Sequence, residues 1–202
     1  VTSKFLRHIA AGAVALALAT TAAGAQDVSY STSGSFFGGA GCTGAVCTGG
    51  SHILTFFGLG PTTVTSPTNI SLGYFQTSGG NSGILEFNDT PFELTISQTA
   101  PTSGSSIFTA ALSGKITSKK NSNAVITFDQ PSVTIGGTTY VLSTNSYQIV
   151  PLDTNNGVTT IQAMVSTSVT ATPEPATVML LGTGLAGVGL LGLRRRRSNG
   201  SV

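Results

Sequence analysis

Val133-Thr134-Ile135-Gly136-Gly137-Thr138-Thr139-Tyr140-Val141 decides the fold class. Two glycines stand between two β-branched runs. A two-residue hairpin turn needs positive φ at its centre, and glycine supplies it without a Cβ clash. The stretch therefore reads as two antiparallel strands. Outward from it, apolar residues recur with period two. Phe92, Leu94 and Ile96 alternate with Glu93, Thr95 and Ser97, and Phe108, Ala110 and Leu112 with Thr109, Ala111 and Ser113. Ala124, Ile126 and Phe128 repeat the pattern, as do Ile161, Ala163 and Val165. Each such strand can turn one apolar face inward and one hydroxyl-rich face outward.

Residues 52–57, 69–75, 84–87 and 147–150 are further predicted strands. Turn residues punctuate the chain at short intervals: Ser78-Gly79-Gly80-Asn81, Pro101-Thr102-Ser103-Gly104 and Asn155-Asn156-Gly157. About nine short strands with such turns predict an all-β domain. The expected architecture is an antiparallel β-sandwich of jelly-roll or immunoglobulin-like type. Ser and Thr fill 47 of the 146 positions from 27 to 172, so the outer faces are solvated by hydroxyls rather than by charge.

The 202 residues suffice for one such domain plus terminal segments. Only 8% are charged, and mean hydropathy is positive at +0.28, which excludes disorder driven by charge. The formal charge of +2 divides unevenly. Lys4 and Arg7 lie near the start, and Arg194, Arg195, Arg196 and Arg197 near the end. Residues 27–172 hold three lysines against six carboxylates, a net of −3. No basic stripe remains there to neutralise phosphates, so nucleic acid is not an expected partner.

Both basic clusters flank apolar runs. After the basic leader, residues 9–19 form an apolar run suited to a signal peptide and too short to span a bilayer. Ala23-Gly24-Ala25 reads as a cleavage site for signal peptidase, with Gln26 opening the mature chain. At the other end residues 176–193 carry no charge. As a helix they would measure about 27 Å, enough to cross a hydrocarbon core. The four arginines that follow would hold the C-terminus in the cytoplasm and leave the domain outside. Pro173-Glu174-Pro175 stands just ahead, an extended approach open to a processing enzyme. The predicted segments are 1–25, 26–172, 173–197 and a short cytoplasmic end, 198–202. They combine a signal helix, a β-sandwich and a transmembrane helix.

Pro-Glu-Pro, an apolar span and an arginine cluster, in that order from Thr172 to Arg197, resemble the PEP-CTERM sorting signal. The resemblance implies recognition by an exosortase, a membrane transpeptidase-like enzyme of Gram-negative bacteria. It implies processing near the motif and passage from the inner membrane to the cell envelope, surface or extracellular matrix.

Few residues in the middle carry chemistry. Cys42 and Cys47 are expected to pair as a disulfide in an oxidising compartment. His52 has no G-x-S-x-G elbow to serve and reads as a strand-edge histidine. Glu86, Asn88, Asp89 and Glu93 form an acidic cluster. Glu86, Asn88 and Asp89 are weak calcium candidates, and Glu86 with Glu93 a remote glycosidase pair. Asn88-Asp89-Thr90-Pro91 reads more simply as a turn joining two strands. Lys115, Lys119 and Lys120 flank a hairpin tip. The expected protein has no cofactor or metal and is not an enzyme. It is a surface-contact protein of envelope or matrix, with exopolysaccharide as a candidate partner. A carbohydrate- or calcium-binding module is the first rival and would need exposed aromatics on one face, for which Tyr74, Phe75, Tyr140 and Tyr147 are candidates. Self-association through open sheet edges is another.

Overall fold

The structure is a computed structural model that describes residues 25–39, 41–80, 82–117, 122–168 and 181–185. The chain divides into two compact units, one of residues 23–169 and one of residues 1–22 with 170–202. In the latter the described residues 181–185 are helical, with Leu181 and Leu185 exposed. Among the described residues no helix is long and apolar enough to cross a membrane. The predicted signal helix, most of the predicted transmembrane helix, Pro173-Glu174-Pro175 and Arg194–Arg197 lie outside the described residues.

The larger unit is all-β, with two antiparallel sheets. Its strands are β1 (Gln26–Phe36), β2 (Cys42–Thr43), β3 (Val46–Gly49), β4 (His52–Phe57), β5 (Thr62–Ser66), β6 (Thr68–Gly79) and β7 (Ile84–Ala100). They continue as β8 (Gly104–Thr117), β9 (Val125–Phe128), β10 (Ser132–Ile135), β11 (Thr138–Leu142), β12 (Ser146–Gln148) and β13 (Val158–Thr167). One sheet runs β12-β9-β8-β7-β1-β5, and the other runs β10-β11-β13-β6-β4-β3-β2. The β10–β11 hairpin closes as read, with Ile135 opposite Thr138 and both Gly136 and Gly137 at positive φ.

The alternating apolar residues face inward from both sheets into one core. At its centre Phe36 and Phe92 of the six-stranded sheet meet Phe56 and Phe75 of the other, with ring centroids 4.9–6.1 Å apart. Gly34 makes room for them. A Cβ there would lie 2.5 Å from both the Phe56 and Phe92 rings. Gln98 crosses between the sheets. Its Oε1 accepts from the Tyr140 hydroxyl at 2.7 Å, and its Nε2 donates to Thr102 O at 2.7 Å and Ile135 O at 3.4 Å.

Both ends of this unit's sheets meet at Ser66. Gln26 pairs with Ser66 across β1 and β5. The Ser66 hydroxyl accepts the Thr167 amide of β13 at 2.9 Å.

The structure corrects the expected turn at Asn88-Asp89-Thr90-Pro91. β7 runs unbroken through it, and Asn88 with Asp89 forms a bulge opposite Ser113. Phe87 and Thr90 on either side are both buried, so the strand gains from continuing and the two polar residues are pushed outward. Asp89 takes positive φ, as aspartate tolerates, and accepts a 2.5 Å hydrogen bond from Ser113 Oγ.

Candidate functional site

The two sheets differ sharply in charge. The strands of the six-stranded sheet carry Asp27, Glu86, Asp89, Glu93 and Lys115, and Asp129 follows β9 directly. The seven strands of the other sheet contain no Asp, Glu, Lys or Arg.

The acidic residues do not assemble a centre. Glu86 and Glu93 are both on β7, on opposite sides of the bulge. Seven strand positions amount to roughly 20 Å, against the ~5–10 Å a glycosidase pair needs. Among the described residues no three His, Cys, Asp or Glu side chains gather as a metal site. Glu86, Phe87, Asn88, Gly114, Lys115 and Asn123 line an open depression of about 500 Å³, with Glu86 directly opposite Lys115. Asp27, Asp89 and Asp129 are engaged by Thr65, Ser113 and Thr109 hydroxyls at 2.8, 2.5 and 2.5 Å. Lys119 and Lys120 lie outside the described residues.

His52 is buried at the start of β4, with Nε2 3.1 Å from Gly83 O. Cys42 and Cys47 face each other across β2 and β3 and form a disulfide. Asp153 lies in the turn before a short 3-10 segment, Asn155–Gly157, in which all three residues take positive φ.

Of the four expected surface aromatics, three are in the core. Phe75, Tyr140 and Tyr147 are buried. Tyr140 is tied to Gln98, and the Tyr147 hydroxyl donates to Gln162 O at 2.9 Å. A ring buried in the core offers no platform, so these residues are withdrawn as ligand contacts. Tyr74 is different. It stacks on Phe57 of the adjacent strand, with centroids 5.1 Å apart and planes 18° apart. Phe57 remains 40% exposed.

A bulge puts Tyr74 there. Ile70 and Leu72 point inward, so strict alternation would bury Tyr74 and expose Phe75. The register instead slips at Leu72, between the Gly73–Ile161 and Ser71–Gln162 pairs, so that Leu72 and Gly73 both face inward and the two aromatics are inverted. Gly73 lies at φ 116, and a Cβ there would sit 2.5 Å from Phe57 O. The carbonyls beside the slip are satisfied from the other sheet. Tyr30 donates to Ser71 O, and Thr32 Oγ1 to Leu72 O, each at 2.9 Å.

Around the ring pair the outer face is polar but unengaged. Thr160 is level with Tyr74, and Thr55 and Gln76 form the next row. Gln162, opposite Ser71, lies on the far side of the slip. The side chains of Thr55, Gln76, Thr160 and Gln162 make no hydrogen bond among the described residues. Phe57 is the residue that sequence reading missed. Its place in line with Ile53 and Thr55 at the end of the predicted strand 52–57 was the available signal, whereas its pairing with Tyr74 was not legible.

The PEP-CTERM protein-sorting motif matches residues 171–197. No curated protein and no solved structure matches the chain. The motif marks an exported, envelope-directed chain whose processing partner is an exosortase.

Proposed function

We propose that this chain is a non-enzymatic protein of the cell envelope or extracellular matrix, released from the inner membrane by an exosortase and acting by contact with exopolysaccharide. The observation that carries the reading is the sorting motif at residues 171–197. Residues 1–25 serve as the signal peptide, cut by signal peptidase between Ala25 and Gln26. The strand β1 begins at Gln26, so a cut there would leave the sheet whole. Residues 176–193 hold the chain in the membrane with Arg194–Arg197 in the cytoplasm, and Pro173-Glu174-Pro175 presents the site for processing. The two-sheet unit is then a sandwich of jelly-roll or immunoglobulin-like type, freed as the mature protein. The scattering of its acidic residues supports contact rather than catalysis.

The test is the intact mass of the protein in membrane, envelope and medium fractions, with and without the exosortase gene. A species from Gln26 to near Pro173, absent from the mutant, is expected. One membrane-bound species retaining Arg197 in both strains would overturn the reading.

A further inference from the structure

We infer that the outer face of the seven-stranded sheet is a binding site for a neutral polysaccharide, with a sugar ring seated on the Phe57–Tyr74 pair. The inference rests on the proposed contact with exopolysaccharide and gives it a place and a charge class.

Three observations lead to the same ligand. The first is the ring pair itself. An aromatic face attracts the C–H face of a sugar, and two rings ordered on adjacent strands lose little freedom on binding. Each ring spends one face on its partner, and Phe57 is left 40% exposed. The second is the flanking polar groups. Gln76 and Gln162 lie on either side of the rings, with Thr55 and Thr160 beside them. Their amides and hydroxyls are unspent, and an amide offers a sugar hydroxyl both a donor and an acceptor. Polar side chains on the six-stranded sheet are instead used among themselves, as in Asp27–Thr65, Thr109–Asp129 and Ser113–Asp89. The third is charge. The seven strands carry no Asp, Glu, Lys or Arg, so nothing there would pair with a uronate or sulfate. The acidic sheet would repel such a chain.

The pattern fits a protein partner less well. The exposed large apolar residues on these strands are Ile53, Phe57 and Met164, and hydroxyl and amide side chains separate them. A stable protein interface wants a continuous apolar centre. The bulge at Gly73 gives the face its purpose, because without it Tyr74 would be buried.

The test is affinity electrophoresis of the full chain, purified in detergent, through gels containing a neutral glucan, mannan or galactan, or the acidic polymer alginate. Retardation in at least one neutral gel is expected, unchanged by added salt. Tyr74→Ala and Phe57→Ala should each weaken it at least tenfold. Gln162→Ala should weaken it about threefold, and Tyr74→Phe should keep most of it. Glu86→Gln, on the opposite sheet, should leave it unchanged. Melting temperatures of all variants separate lost binding from lost folding, and Gln162→Ala, at an exposed position, covers the case in which an alanine variant of the rings fails to fold. No retardation in any neutral gel, or retardation that Tyr74→Ala leaves intact, overturns the inference. So does binding confined to alginate and abolished by salt, or a concentration-dependent dimer lost in Tyr74→Ala. Failure here leaves the sorting result untouched, because that result is read from mass.

Discussion

Single residues hold the two sheets at a fixed distance. Gly34 is the tightest point, and Gly34→Ala should cost about 1–3 kcal/mol, because neither Phe56 nor Phe92 has room to retreat in a four-ring cluster. Urea denaturation reads it. Tyr140→Phe removes the hydroxyl from Gln98 Oε1 and leaves that buried oxygen without its donor, at about 1–3 kcal/mol. The same tyrosine governs alkaline stability. Burial, and secondarily the neighbouring Tyr30, push its hydroxyl pKa far above the ordinary 10.0. Burial also raises Tyr30 and Tyr147. The folded protein therefore keeps protons that the unfolded chain releases above about pH 10. Stability is expected to be undiminished by these groups below that pH and to fall above it. The slope is at most ~1.4 kcal/mol per pH unit for each tyrosine. Urea midpoints measured from about pH 8 to pH 11 check this, and Tyr140→Phe should flatten the fall.

Elements differ in how far their sequences announced them. The β10–β11 hairpin was plain, because a Gly-Gly pair between β-branched runs leaves the backbone one favourable turn. The inward sets of β7, β8, β9 and β13 were equally plain, since alternation alone decides which side is wetted. β1 was missed. Its sequence, QDVSYSTSGSF, is mostly polar, yet Val28, Tyr30 and Phe36 are buried and Thr32 is a hydrogen-bonded core residue. β5 was missed for a similar reason, as TTVTS offers one aliphatic side chain. Bulges were illegible, because Asn-Asp suits a turn and a bulge alike and only Phe87 and Thr90 choose between them. The candidate site suffered most from this, since period two places Tyr74 and Phe75 on the wrong faces. The β2–β3 ribbon depends on its cross-link. Replacing Cys42 and Cys47 by serine should lower stability by about 2 kcal/mol, the effect of closing so short a loop, while the core keeps the domain folded. Thermal unfolding with and without reductant gives the same comparison.

At the scale of the whole molecule, the class was readable from sequence and the strand order was not. Period and turn residues mark most of the strands and the inward faces of β7, β8, β9 and β13, though not β1 or β5. They do not say that β1 lies between β5 and β7, because pairing across tens of residues is settled by the collective fit of the core. The division of charge between sheets also needed the strand order, since Asp27 of β1, the two glutamates of β7 and Lys115 of β8 come from separate strands. One further property follows from the meeting of Gln26, Ser66 and Thr167. The two natural ends of the domain lie within roughly 10–12 Å, since they are neighbours across one strand spacing and one hydrogen bond. The backbone of this domain is thus nearly a closed ring, and where it is opened is a matter of convenience. A permutant joining Ser168 to Ala25 by about four glycines and serines, and opened between the exposed Asp153 and Thr154, should unfold cooperatively within ~1–2 kcal/mol of the parent in urea. The same closeness would let the domain be spliced into a surface loop of another protein without prising that loop apart.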